Sequence, residues 1–400
     1  MKKKLMILGG SELQLPAIEK AMDMGYQVIV CDYYEDCAGK RVPGVIGELI
    51  STYDYDGVLE AAKKYNIDGI VTLCTDYPMR IVAKVAETLG LPGITYKAAF
   101  TATDKAAMRR CLEKAGVPIP KYISVNSKEE YLEAINEFKE RCVVKAVDNS
   151  GSRGIQLIYD INDTEKVNSA FDYCKEFSRS GELVIEEFME GPEVCVETLN
   201  YKGQCYPIQI TDQLAKEPPF FTDAGYSQPT FLSDEIKEKI NDVAIRANIA
   251  LENFMGSSCT EIIVTDDGPK IVEVGPRLAG DYMTSHLVPL STGVDMVEAI
   301  IKIALGEEPN LGKKYEKGSC IRYFMKPVVG KIKAFEGLEE AKNVPGVNWV
   351  HMMKNVGDMA VELRSSNDRI GFVMAQGNTA QEAIAACEKA LDMIEVVVDK

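Results

Sequence analysis

The sequence predicts a protein of several domains that combines α/β and α+β folds. The chain has 400 residues, which corresponds to two or three domains at roughly 150 residues per domain. Its composition, with 46% hydrophobic and 26% charged residues, is that of folded globular proteins. Strands alternate with helices over roughly residues 1–95, whereas hairpins and helices mix further along the chain. The first pattern is typical of a parallel sheet and the second of α+β domains.

The N-terminal part has the pattern of a doubly wound parallel sheet. Its predicted elements are strands at 5–8, 28–31 and 69–73 and helices at 13–24, 56–65 and 78–89. A glycine-rich turn at 9–11 follows the first strand and Asp32 ends the second, as in a dinucleotide fingerprint. The last glycine of that fingerprint is missing, because Leu13 or Gln14 stands in its place. An NAD-linked oxidoreductase is therefore a minor alternative.

Mixed elements follow a predicted domain boundary near residue 104. They are a helix ending at 116, strands at 142–146, 155–158 and 183–187, helices from 163 and at 234–250, a hairpin of strands 258–264 and 270–274, strands at 319–325, 359–363 and 371–375, and a helix at 380–393. The segment 211–229 shows no strand or helix pattern. Because it is long and aromatic, with Phe221 and Tyr226, we expect a loop that acts as a lid.

Charge and hydropathy exclude several classes of partner and site. Acidic residues outnumber basic ones by 61 to 45, a net charge of −16, so we expect no binding to nucleic acid or to an anionic membrane surface. No uncharged apolar stretch reaches the roughly 18 residues of a membrane span. The eleven cysteines include no CxxC pair and the two histidines are His286 and His351, so we expect no zinc site. Reduced thiols in a cytoplasmic protein are the expectation.

A lysine at the end of a predicted buried strand precedes a loop of small residues. Lys145 follows Val143 and Val144, and a lysine in that position must reach solvent or meet an anion. The loop 148–154 contains two glycines and Arg153, so its backbone N–H groups can approach a phosphate closely. This pattern predicts a phosphate site, although a flexible loop beside a solvated lysine has the same residues.

Two glutamates face each other across the predicted hairpin. With residues 266–268 as a three-residue loop, Glu261 lies directly opposite Glu273. Like charges at opposed positions destabilise a sheet, so we expect a cation between them, and Mg²⁺ prefers carboxylate and phosphate oxygens. Arg277, four residues later, adds a positive charge. A one-residue change of register would instead leave two separate, solvent-facing glutamates.

The order of these residues resembles the ATP-grasp superfamily over residues 1 to about 305. The matching elements are, in order, Lys105, Lys145, the loop 150–154, the run 184–191, Glu193, Glu261, Glu273 and Arg277. Residues 218–229, residues 273–281 and the C-terminal part are most similar to L-amino-acid ligases and related carboxylate–amine ligases. The resemblance implies a pre-ATP-grasp α/β domain at 1–103, two α+β ATP-grasp subdomains at 104–188 and 189–308, and an α+β module at 309–400.

The resemblance also implies which residues hold ATP. The expected phosphate contacts are Lys105 and Lys145, with Ser150, Gly151, Ser152, Arg153 and Gly154 closing over the phosphates. The expected nucleoside contacts are Glu186, Glu187, Phe188 and Met189 at adenine and Glu193 at the ribose. Taken alone, Glu186 and Glu187 could equally be ordinary carboxylates at the end of a strand.

For the metal and the substrates, the resemblance implies a further set of residues. Glu261 and Glu273 would bind one or two Mg²⁺ ions, for which Mn²⁺ can substitute. Many relatives have asparagine where Gly275 stands, so a side-chain ligand of the second ion is missing here. The expected catalytic residues are Arg277, Lys145 and Glu273. The expected substrate contacts are Arg277, His286, Phe221 and Tyr226, although a lone histidine is more often structural and a loop aromatic is as often structural as functional.

The expected activity is ATP-dependent formation of an amide bond between a carboxylate and an amine, each a small molecule, with amino acids among the candidates. ADP and phosphate are the expected products, and a homodimer is the expected assembly. A bicarbonate-activating carboxylase or purine-pathway enzyme has the same ATP site and a different acceptor pocket. A nucleotide-binding protein without catalytic activity is the third alternative, which the paired glutamates disfavour.

Overall fold

The computed structural model describes residues 2–139, 141–149, 151, 153–215 and 222–399. Its N-terminal part is a parallel sheet with the strand order β3-β2-β1-β4. The elements are β1 (Lys4–Leu8), α1 (Leu15–Asp23), β2 (Gln27–Asp32), β3 (Ile46–Leu49), α2 (Tyr55–Tyr65), β4 (Gly69–Val71), α3 (Tyr77–Leu89) and α4 (Tyr96–Thr103). The predicted doubly wound sheet is confirmed. The prediction lacks β3, an edge strand with no fully buried residue.

The glycine-rich turn after β1 is held by side chains of the same domain. The Gly10 N–H donates to the Asp32 carboxylate at 2.8 Å, and the Leu73 N–H donates to the Gln14 side-chain oxygen at 2.9 Å. Asp32 and Gln14 therefore have structural partners at the carboxyl edge of the sheet.

The next part of the chain forms an antiparallel sheet with the order β5-β8-β6-β7. Its elements are α5 (Lys105–Lys114), β5 (Tyr122–Val125), α6 (Lys128–Ala134), β6 (Cys142–Ala146), β7 (Ile155–Ile158), α7 (Thr164–Phe177) and β8 (Leu183–Glu187). The last three strands have the predicted bounds. Residues of α6 and α7 pack with this sheet in one apolar core.

A long antiparallel sheet, here called the central sheet, has the order β13-β12-β9-β10-β11-β14-β18-β16. A smaller sheet has the order β17-β15-β19. The elements are β9 (Glu193–Tyr201), β10 (Gln204–Ala215), β11 (Asp223–Gln228), α8 (Asp234–Ala250), β12 (Gly256–Thr265), β13 (Gly268–Gly275), α9 (Val288–Thr292), α10 (Met296–Ala304), β14 (Gly318–Tyr323), β15 (Gly330–Glu336), α11 (Leu338–Lys342), β16 (Val347–Met352), β17 (Met359–Ala360), β18 (Gly371–Gly377), α12 (Ala380–Met393) and β19 (Glu395–Val398). The predicted combination of α/β and α+β folds is confirmed.

The central sheet runs across residue 309, where the sequence places a domain boundary. β11 pairs with β14, and β14 pairs with β18, so strands on both sides of that residue belong to one continuous sheet. The four domain ranges stay a prediction. None of the described helices is both long and apolar enough to cross a membrane.

The expectation of a loop over 211–229 is wrong for most of its described residues. β10 continues to Ala215, and β11 begins at Asp223 and pairs with it. Gly225 hides this strand from sequence patterning, because glycine is typical of turns. Here the glycine is required by close packing, since a Cβ atom at Gly225 would lie 2.3 Å from the Ile321 carbonyl oxygen. Phe221 lies outside the described residues.

The hairpin that carries the two glutamates has the predicted pairing but not the predicted turn. Thr265 pairs with Gly268, so the connection is the two-residue turn Asp266-Asp267 rather than a three-residue loop. The register then shifts between Glu261 and Ile262, as it does at a β-bulge. The shift compensates for the shorter turn, and Glu261 pairs with Glu273 as predicted.

The expectation that all thiols are reduced is wrong for one pair. Cys195 on β9 and Cys259 on β12 are joined by a disulfide, with their Cα atoms 6.0 Å apart. The two strands are direct neighbours in the central sheet, and this proximity of residues 64 positions apart could not be read from cysteine spacing.

A buried ionic cluster connects the second sheet to the central sheet. The Arg109 side chain on α5 is fully buried and donates to the Glu186 carboxylate on β8 at 2.6 Å. It also donates to the carbonyl oxygens of Ile271 and Val272 on β13, at 3.2 and 2.7 Å. Lys145 Nζ lies 2.7 Å from the other Glu186 oxygen. The guanidinium therefore joins α5, β8 and the glutamate-bearing hairpin.

We predict that Glu186→Gln lowers the free energy of unfolding by about 3–5 kcal/mol, because it leaves the buried Arg109 charge without its carboxylate. Urea denaturation followed by circular dichroism measures this difference. The matched control is Asp172→Asn, which removes the exposed ion pair to Lys128 at 3.1 Å and should cost less than about 1 kcal/mol. Equal costs for the two variants would contradict the prediction.

Candidate active site

The site is organised around Glu261 on β12 and Glu273 on β13, which are directly opposed in the hairpin. Burial, together with the neighbouring carboxylates of Glu273 and Glu193, raises the pKa of Glu261 to about 8. Among the described residues, no side chain or backbone group forms a hydrogen bond or ion pair with the Glu261 carboxylate. Two opposed carboxylates with this electrostatic environment fit a divalent cation that takes oxygen ligands.

Lys105, the first residue of α5, connects this hairpin to the predicted phosphate loop. Its Nζ lies 3.1 Å from the Glu273 carboxylate and donates to the Asn149 carbonyl oxygen at 2.9 Å. Burial lowers the pKa of Lys105, but the charge and hydrogen bond of Glu273 and the charges of Asp76 and Glu186 together outweigh that effect, so the net pKa is raised. The helix is oriented by Asp104, whose side chain accepts a hydrogen bond from the Ala107 N–H. The ammonium group therefore stays charged between the opposed carboxylates and the loop.

The loop 148–154 is described except for Ser150 and Ser152, whose predicted phosphate contacts lie outside the described residues. Gly154 has a positive φ of 70°, and a Cβ atom there would lie 2.6 Å from the Phe177 Cβ. Only glycine fits without displacing α7. Gly151 also has positive φ, at 67°. Asp148 fixes the start of the loop by accepting from the backbone N–H groups of Arg179 and Ser180.

Glu273 and the loop line a common cavity at the junction with the N-terminal domain. The cavity is lined by Tyr53, Asp76, Tyr77, Thr103, Asp148, Asn149, Arg153, Arg179 and Glu273. The structure therefore brings together the predicted metal carboxylates, Lys105 and the described part of the predicted phosphate loop.

The residues expected at adenine lie on and after β8. Burial alone would raise the pKa of Glu186, but Arg109 and Lys145 outweigh it and bring the pKa to about 2. The Glu186 carboxylate therefore forms ion pairs with both Arg109 and Lys145. Glu187 pairs with Lys270 at 2.8 Å, whereas Phe188 and Met189 are half-buried. Their contact with adenine stays a prediction.

Glu193, expected at the ribose, begins β9. Burial raises the pKa of its carboxyl group to about 7, and Asp223 contributes in the same direction. This carboxyl therefore lies near both Glu261 and β11, on the face of the central sheet that carries the site.

Arg277 lies just beyond β13 and pairs with Asp76, a residue that the sequence analysis missed. Arg277 Nε donates to Asp76 Oδ1 at 2.9 Å, and Nη2 lies 3.4 Å from Oδ2. The two side chains are 15% and 12% exposed. Asp76 follows β4 at the carboxyl edge of the parallel sheet, where ligands bind in open α/β folds. That rule is the signal that could have identified it.

A second cluster that the sequence analysis missed braces the site from the C-terminal part. Tyr226 is buried on β11, and its hydroxyl lies 2.7 Å from Asp223 and 3.0 Å from Asp281. Arg369, which is 1% exposed, donates to the Asp281 carboxylate at 2.9 Å and to the Asp223 carbonyl at 2.8 Å. Its guanidinium also lies over the Tyr323 ring, 3.7 Å from the centroid. Tyr226 therefore lies beside the site as part of a charged network.

His286 lies in an aromatic cluster beside this network. Its ring stacks on Trp349 at 5.3 Å and contacts Tyr282 edge-on. Burial lowers its pKa, and Ser285 Oγ lies 2.9 Å from Nδ1. These contacts give His286 a packing role, and its contact with substrate stays a prediction.

Three family profiles match the chain. An ATP-grasp domain matches residues 102–281, an ATP-grasp N-terminal domain matches residues 18–93, and L-amino acid ligase C-terminal domain 2 matches residues 322–399. The glutamate pair, Lys105, the loop and Arg277 all lie within the first of these ranges.

Curated relatives and solved structures are similar to the chain over most of its length. The uncharacterized protein y4rH of Sinorhizobium fredii is 30% identical, covering 83% of this chain and 69% of that protein. The alanine–anticapsin ligase of Bacillus subtilis is 28% identical over 64% of this chain, which spans only 57% of that ligase. The crystal structure of an L-amino acid ligase from Bacillus licheniformis has a TM-score of 0.86 at 22% identity, with each chain fully covered. The chain belongs to the ATP-grasp family of enzymes.

Proposed function

We propose that the protein is an ATP-dependent carboxylate–amine ligase that joins amino acids through an acyl-phosphate intermediate. The observation that carries the proposal is the opposed Glu261 and Glu273 pair, with Lys105 at 3.1 Å from Glu273 and a glycine-containing loop beside it. The similarity of residues 322–399 to the C-terminal domain of L-amino acid ligases supports amino acids as substrates.

The reaction has two steps. A carboxylate oxygen of the first substrate bonds to the γ-phosphorus of ATP, the bond from that phosphorus to the bridging oxygen breaks, and ADP leaves. The neutral amine of the second substrate then attacks the acyl carbon, the carbon–oxygen bond to phosphate breaks, and the amine nitrogen loses a proton. The products are an amide, ADP and phosphate.

The side chains contribute position and charge, which is what phosphoryl transfer requires. Lys105 and Lys145 hold the phosphates, while loop 148–154 donates backbone N–H groups. Glu261 and Glu273 would hold Mg²⁺, or Mn²⁺ in its place, and a bound divalent ion offsets negative charge on the transferring group. Arg277 holds the substrate carboxylate and then the acyl phosphate, since a planar guanidinium matches two oxygens. A homodimer and a cytoplasmic location also stay proposals.

The proposal predicts phosphate release that requires ATP, Mg²⁺ and particular pairs of amino acids, because both the acyl donor and the amine are needed for turnover. Single amino acids and all pairs of them are the panel, and mass spectrometry identifies the amide. Phosphate release with bicarbonate and no amine would favour the carboxylase alternative. Nucleotide binding without phosphate release on any substrate would contradict ligase activity.

Glu261→Gln and Glu273→Gln should each reduce turnover at least about 100-fold, the order of loss when one preorganised electrostatic contact is removed. Each change removes one charged metal ligand and also relieves repulsion between the opposed pair. Phosphate release measures turnover, and thermal unfolding confirms that each variant folds. Normal turnover in both folded variants would show that the pair does not hold the metal.

Lys145→Ala should weaken Mg·ATP binding by about tenfold, because a charge-assisted hydrogen bond to phosphate is lost from a poorly solvated position. Lys145 is 8% exposed, and Arg109 still neutralises Glu186 in the variant. Lys342→Ala is the control, since that lysine is exposed and pairs with Glu339 within α11. Titration calorimetry compares the two, and equal affinities would remove Lys145 from the ATP site.

A further inference from the structure

We propose that Asp76 is a positioning residue that holds Arg277 away from the metal carboxylates and orients its guanidinium for the acyl substrate. This inference rests on the proposed function, and it concerns how the N-terminal domain contributes to the site. Its basis is the Asp76–Arg277 ion pair, which crosses from the start of α3 to the residues after β13.

The helix-capping geometry of Asp76 indicates that its side chain serves Arg277. Asp76 occupies the N-cap of α3, but its side chain makes no capping hydrogen bond. Asp54, at the same position of α2, does cap its helix by accepting from the Gly57 N–H. Aspartate is favoured at N-caps because of that bond. At residue 76 the Met79 N–H donates to the Asp76 carbonyl oxygen at 3.0 Å instead, and the side chain bonds Arg277.

After Asp76, the carboxylate that acts most strongly on the Arg277 charge is that of Glu261, a predicted metal ligand. Arg277 lies close enough to lower the pKa of Glu261, although burial and Glu273 raise that pKa to about 8. It acts in the same direction on Glu197, whose carboxylate is fully buried and forms no hydrogen bond with any described residue. A buried guanidinium that loses its partner is strongly unfavourable, so pairing with another carboxylate within reach would be stabilising. Pairing with Glu261 would place it where the metal binds.

The orientation of the pair also suits a second oxyanion. Both contacts use the Nε and Nη2 edge of the guanidinium, and a guanidinium has another edge formed by its two Nη atoms. Asp76 thus binds one edge of the guanidinium. Because the group is planar, this contact also fixes the orientation of the second edge. The carboxylate of the acyl substrate can bind there while Asp76 remains in place.

Gly275 provides the space that this arrangement needs. A Cβ atom at Gly275 would lie 3.0 Å from Arg277 Cζ and 3.2 Å from Asp76 Oδ1. A larger side chain at this position would press on both members of the pair. The ion pair between Asp76 and Arg277 therefore depends on glycine at position 275.

The test is a double-mutant cycle on metal affinity, which does not depend on turnover. Mn²⁺ binding is measured by electron paramagnetic resonance, with and without ADP, for wild type, Asp76→Asn, Arg277→Gln and the double variant. We expect Asp76→Asn to weaken Mn²⁺ binding about tenfold when Arg277 is present and less than about twofold in the Arg277→Gln background, since the two residues act as a unit. In kinetic assays, we expect Asp76→Asn to raise the KM for the acyl substrate and to leave the KM for ATP unchanged.

The control is Asp54→Ala, which removes a true helix cap from the same domain and should lower thermal stability without changing Mn²⁺ affinity. An equal loss of affinity in both backgrounds would mean that Asp76 acts on the metal directly, and wild-type affinity in Asp76→Asn would mean that it has no such role. Either result overturns the inference. If the wild type binds Mn²⁺ but releases no phosphate with any amino-acid pair, only the proposed function is contradicted. If the wild type binds no Mn²⁺, the proposed function and this inference are both contradicted.

Discussion

The repulsion between two opposed carboxylates is the constraint on which the rest of the site depends. Glu261 and Glu273 occupy one cross-strand pair, and like charges at such positions destabilise a sheet unless a cation intervenes. The chain places Lys105 against Glu273 and Arg277 against Asp76. Both of these cations thus have an anionic partner, and the Glu261 carboxylate forms no hydrogen bond or ion pair with any described residue. This distribution of charge brings together side chains from the N-terminal domain, α5 and the hairpin.

Much of the fold and the core of the site could be predicted from the sequence. Buried strands such as β6 and β8 are short apolar runs with clear ends, so their bounds are correct. The glutamate pair was predictable because residues on one hairpin are placed by local pairing rules. The turn was misjudged because a bulge between Glu261 and Ile262 shifts the register, and nothing in the local residues distinguishes a two-residue turn with a bulge from a three-residue loop.

The residues that were missed are those whose partners are distant in sequence. Asp76 and Arg277 are 201 positions apart, and Arg369 reaches Asp281 across 88 positions. Such pairs depend on how domains pack, which hydrophobic periodicity does not encode. β11 was missed for a related reason: Gly225 is read locally as a turn residue, whereas its role is to let β11 approach the backbone of β14.

The continuity of the central sheet has a consequence for recombining parts of such enzymes. β14 and β18 of the C-terminal part belong to the same sheet as β9 to β13. Arg369 supplies the buried positive charge that pairs with Asp281. A chimera cut at residue 309 would therefore have to match strand twist, ladder register and one buried arginine at once. The C-terminal part is not an exchangeable cassette, and changes of substrate preference are better sought by altering single side chains within the intact sheet.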